Sequence, residues 1–168
     1  MFIKQKLGKL ENFRIGSRTI DLLPLQWYES NKKLLHRKTL EGREVVMKYL
    51  HESPELSQDD VVYEDESCLI VVDIQPCSCI VLHPRNMYEM AAVCYEIGNK
   101  NFPVFYEEEA ILVPFEPALF HILLASGYDP AIESRKLLCP LKTPAVENPH
   151  GSSKLFSRIM NLPMVENS

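Results

Sequence analysis

Three short stretches of this 168-residue chain carry residue types able to hold a metal or a polar ligand. The first is Asn99-Lys100-Asn101, which follows Cys94-Tyr95-Glu96-Ile97-Gly98 and runs into Phe102-Pro103-Val104-Phe105-Tyr106. The second is Cys77-Ser78-Cys79 with His83, a C-x-C-x3-H spacing of soft donors suited to zinc or nickel. Positions 77, 79, 81 and 83 share one side of a strand, yet one strand cannot close a tetrahedral site. The expectation for Cys68, Cys77, Cys79, Cys94 and Cys139 is therefore that of small buried hydrophobes in a reducing compartment. The third stretch is Pro149-His150-Gly151, where an imidazole has no core to build and is free to bind and release a borderline metal near neutral pH. A plain solvent-exposed histidine is the competing reading there. His36, His51 and His121 read as surface side chains, the last because it sits about 100° from Phe120 on a helix.

The elements that must position these groups follow from periodicity. Met87, Met90, Ala91, Cys94 and Ile97/Gly98 recur at helical spacing, with Asn86 or Pro84 near the start and Gly98 as the expected left-handed closure. Residues 98–103 then make a helix-to-strand corner before the strand Val104–Tyr106. Ser78–His83, Ala110–Val113 and Ile132–Cys139 read as strands, and Glu116-Pro117 opens a second helix with a stripe of Phe120, Leu123 and Leu124 that Gly127 ends. The order β-α-β-β-α-β over residues 76–143 is the split-βαβ, ferredoxin-like arrangement. Residues 1–75 read as short strands of a small antiparallel β-rich domain, including a hairpin about Leu40-Glu41-Gly42. The fold class is thus α+β. Beyond Pro140, prolines and Gly151-Ser152-Ser153 mark residues 144–168 as a mobile tail, with a short amphipathic segment at Leu155, Phe156, Ile159 and Met160.

Composition narrows the function classes. A net charge of −5 disfavours a nucleic-acid partner. No apolar run approaches the roughly 20 residues that span a bilayer, so no membrane partner and a cytoplasmic location are expected. No constellation of nucleophile, base and orienting group supports an enzyme.

The chain resembles a known family at Cys94–Lys100, Val104-Phe105-Tyr106, Val113-Pro114-Phe115, Ser126-Gly127, Arg135-Lys136-Leu137-Leu138 and Pro149-His150-Gly151. It is similar to urease accessory protein E, a nickel metallochaperone, and weaker likenesses lie at Leu25–Glu29 and Gly42-Arg43-Glu44. The resemblance implies a homodimer that binds nickel between its subunits, with zinc or copper possible in vitro. It implies as partners the urease accessory GTPase and the urease apoenzyme complex. His150 matches the family's tail ligand, and Asn101 occupies the place of the corner histidine. An amide oxygen is a harder and weaker donor to nickel than imidazole nitrogen. Three outcomes stay open: a weak site leaning on His150, a shifted site using His121 or Cys77/Cys79, or an assembly module whose metal site is vestigial.

Overall fold

The computed structural model describes residues 1–49 and 55–142. Its first half consists of strands β1 (Phe2–Ile3), β2 (Gly8–Lys9), β3 (Thr19–Leu25), β4 (Leu34–Lys38), β5 (Glu44–Lys48), β6 (Asp60–Glu64) and β7 (Cys68–Ile74). They form a three-stranded sheet, β1-β5-β4, and a four-stranded one, β2-β6-β7-β3. The hairpin expected about residues 40–42 joins β4 to β5, and Gly42 supplies the left-handed angle it needs. Pro24 lies within β3 because that strand is a sheet edge, where a missing N–H leaves no ladder bond unmade. Leu23, Leu25, Leu35, Val45, Met47, Ile70 and Val72 fill the core between the two sheets.

The all-antiparallel expectation for this half needs correction. β1 pairs with β5, and β3 with β7, in parallel. A parallel neighbour requires a long crossover, and the chain between β3 and β7 (which holds β4 to β6) supplies it.

The second half runs β8 (Cys77–Leu82), α1 (Met87–Asn99), β9 (Phe105–Glu107), β10 (Ala110–Pro114), α2 (Pro117–Ala125) and β11 (Ala131–Arg135). Its strands lie in the order β11-β8-β10-β9, every pair antiparallel. With two helices beside these sheets the molecule is α+β. β11 ends at Arg135, short of the expected Cys139, because the Tyr106 N–H donates to the Cys139 carbonyl and the Leu141 N–H to the Val104 carbonyl, which lays residues 139–141 along β9 instead. Ile80, Leu82, Ile111 and Val113 face the helices, whereas Cys79, Val81, Leu112 and Phe105 face the other way. That second face meets the first half. A single 3-10 turn, Trp27–Glu29, sets the indole edge-on to Phe105 with ring centroids 5.5 Å apart, and Lys136 donates to Asp73 at 2.6 Å. The turn is held by Glu29, a buried carboxylate accepting from the Gln26 amide and paired with Arg37 and Lys32.

Asp60 is buried in the same manner. Burial raises its pKa, but the Ser57 amide at 2.8 Å, Lys9 at 3.0 Å and Lys6 at 3.4 Å outweigh this and hold it below the usual carboxylate value. Because the folded pKa is the lower one, the stabilisation is present at neutral pH and is lost as pH falls below about 4. Asp60→Asn is expected to cost about 1–3 kcal/mol at pH 7. In urea denaturation the gap from wild type should narrow at pH 3; a gap independent of pH would refute this assignment.

Candidate functional site at the helix-to-strand corner

Helix α1 starts at Asn86, whose side chain accepts from the Glu89 amide at 2.9 Å and so satisfies an otherwise orphaned donor. The Glu89 carboxylate in turn takes the Arg85 amide at 2.8 Å. Its buried face is Met90, Val93, Cys94 and Ile97. Met87 and Ala91, expected to be inside, are exposed, Met87 by 86%. The outward side holds a second apolar stripe: Tyr88 at 85% exposure, Ala91, Tyr95 at 73%, and Gly98.

The helix does not close at Gly98, which is still helical. Asn101 takes the left-handed angle instead, at φ +59°. Its N–H donates to the Gly98 carbonyl at 3.0 Å, and the Phe102 N–H to the Ile97 carbonyl at 3.4 Å. These are the two bonds of a Schellman closure, and Phe102 joins Ile97 in the core as that motif favours. Asparagine is one of the few residues other than glycine that enter this region readily. The Asn101 side chain is exposed and makes no hydrogen bond among the described residues. It stands free at the end of the outward stripe of α1.

Helix α2 closes by the same geometry, here on the expected Gly127 at φ +84°. Bonds of 3.0 Å to Leu124 and 3.1 Å to Leu123 complete it. Leu119 and Leu123 form its buried stripe, while Leu124 points outward. His121 is exposed, as expected, with its ring edge toward Phe120.

Cys77 and Cys79 lie side by side on β8 with their Sγ atoms 3.6 Å apart, and His83 is exposed beyond the strand end. No group of three or more His, Cys, Asp or Glu side chains is placed to hold a metal ion among the described residues. Burial pushes the Cys79 thiol up to about 12, in keeping with the small-hydrophobe reading. Cys94 is also shifted upward by burial, whereas Cys139 is exposed. His150 and His51 lie outside the described residues, as does the segment 144–168.

Residues 3–75 match the model of the UreE urease accessory protein N-terminal domain. Over 167 residues the chain is 41% identical to urease accessory protein UreE of Flavobacterium johnsoniae, covering 96% of this chain and 99% of that protein. The chain belongs to the UreE family. The family member of Acetivibrio thermocellus is 33% identical over 157 residues, 94% of this chain and 99% of that one. That of Actinobacillus pleuropneumoniae is 40% identical over 124 residues, 74% of this chain and 66% of its own length. Within this UreE family member, residue reasoning missed the buried carboxylates Asp21, Glu29 and Asp60 and the outward stripe of α1. The stripe left a signal, since Tyr88, Ala91, Tyr95 and Gly98 are themselves at helical spacing.

The two closures predict opposite responses to alanine. At Gly98 an added Cβ meets nothing within 4 Å and the backbone is helical, so Gly98→Ala should stabilise by about 0.5–1 kcal/mol. Gly127→Ala should destabilise by about 1–2 kcal/mol, because its left-handed angle opposes a Cβ. Thermal unfolding of both variants checks this, and effects of the same sign would contradict the closure described.

Proposed function

We propose that this chain is a non-enzymatic nickel chaperone of urease maturation. It carries nickel as cargo between two copies of itself, and delivers it in the cytoplasm to the urease apoenzyme complex with the accessory GTPase. Residues 1–75 act as the β-rich lobe and 76–143 as a ferredoxin-like metal-binding and dimerisation lobe, followed by the tail 144–168.

One observation carries the dimeric part of this reading. The outward stripe of α1 is apolar, unpartnered among the described residues, and runs directly to Asn101. Two copies related by a twofold axis along that stripe would cover Tyr88 and Tyr95 and bring two Asn101 amides together. Amide oxygens are poor nickel donors, so most of the affinity falls to the imidazole of His150 from each copy. Urease-accessory relatives along nearly the whole chain support the cargo and the destination.

Calorimetric titration of the full chain with nickel should give saturable binding. His150→Ala should weaken it at least about tenfold, and Asn101→His should tighten it by a similar factor. Tyr95→Glu should halve the mass in sedimentation, because it puts a charge in the centre of the stripe. Absence of any nickel binding would overturn the chaperone reading.

The second reading is an assembly module that keeps the fold and partners with a vestigial metal site. The left-handed closure favours it, since it gives Asn101 a structural role that needs no metal. Capture of the accessory GTPase without added metal, unchanged in His150→Ala, would select this reading.

A further inference from the structure

We propose that Cys77 and Cys79 form a two-thiolate site for one thiophilic monovalent cation, copper(I), on the sheet face that meets the first half of the chain. This site is separate from the corner at Asn101 and does not depend on nickel carriage. The two Sγ atoms are 3.6 Å apart on β8, a strand paired on both sides by β10 and β11 and therefore held extended. Cys79 is fully buried and its thiol donates to the Cys77 carbonyl at 3.2 Å, with the Arg135 carbonyl 3.7 Å away. Cys77 is only half-buried, which leaves the pair an open side.

A disulfide suits this geometry poorly. Residues i and i+2 of a strand are spaced about 6.6–6.8 Å, the upper end of what a disulfide tolerates. A bridging ion needs no such approach. Two sulfurs bound to one ion at about 2.3 Å lie roughly 3.8 Å apart at a tetrahedral angle and 4.6 Å apart when opposed. A small outward swing of Cys77 spans that range. Two thiolates without a third donor among the described residues match a soft cation of low coordination number, whereas zinc takes four ligands.

Loading exchanges two thiol protons for one copper(I), leaving a dithiolate complex of net charge −1 with no change of oxidation state. Arg135 is the register partner of Cys77 across the sheet, where its guanidinium is paired with Glu133 at 2.9 Å and Glu107 at 3.2 Å.

Anaerobic titration of the full chain with copper(I), against a chromophoric copper(I) chelator, tests the site. The wild type should take up one equivalent per chain with two sulfur neighbours in X-ray absorption. Cys77→Ser and Cys79→Ser should each weaken uptake at least about tenfold, while Cys139→Ser and His150→Ala leave it unchanged. Should Cys79→Ser fail to fold by circular dichroism, the half-exposed Cys77→Ser decides alone. Wild-type affinity in Cys77→Ser, or loss of the equivalent in Cys139→Ser or His150→Ala, would overturn the site. Nickel titration of Cys77→Ser should match wild type, which keeps this test apart from the chaperone reading.

Discussion

Asn101 turns the chain out of α1 with a left-handed backbone, and the corner that follows depends on that one residue. Its N–H and that of Phe102 cap the last carbonyls of the helix, and Phe102 drops into the core against Ile97. A β-branched or bulky residue would meet a strain of about 1–2 kcal/mol at such a position. Asparagine avoids most of that cost, and histidine is likewise enriched in the region. The backbone requirement at position 101 is thus separable from the chemistry of its side chain. An imidazole and an amide are therefore interchangeable there as far as the helix end is concerned.

The placement of that corner rests on β8. It and its neighbour β10 alternate between two buried faces, so the sheet is packed by helices on one side and by the first half of the chain on the other. The second contact is made by the turn Trp27–Glu29 together with the Lys136–Asp73 ion pair. Glu29, buried and satisfied by an amide and two cations, fixes the turn that aims Trp27 at Phe105. Removing one partner of such a buried charge leaves it uncompensated, which costs more than an exposed pair is worth. The cysteine pair at 77 and 79 occupies the same junction, where desolvation keeps Cys79 protonated in the absence of a ligand.

Much of this was readable beforehand, for definite reasons. β7 and the 40–42 hairpin follow from apolar runs bounded by turn residues, and α2 from Pro117 at its start and Gly127 at its end. Gly98 misled because glycine permits a left-handed angle without requiring one. The buried face of α1 was misread because the helix is apolar on two sides, so periodicity has two solutions. Parallel pairing of β3 with β7 was not legible, since alternation reports which face is buried and not which neighbour is bonded.

By itself, then, the sequence determined the α+β class, the order of elements in the second half, the helix starts and the family. These depend on local spacing and on residue types that act within a few positions. Only the tertiary structure decided that Asn101 rather than Gly98 closes α1, that the tyrosine stripe faces outward, and that the two cysteines touch while His83 stands apart. Each of those outcomes depends on which of two chemically permitted arrangements packs against the rest of the chain, and that competition is settled between segments distant in sequence.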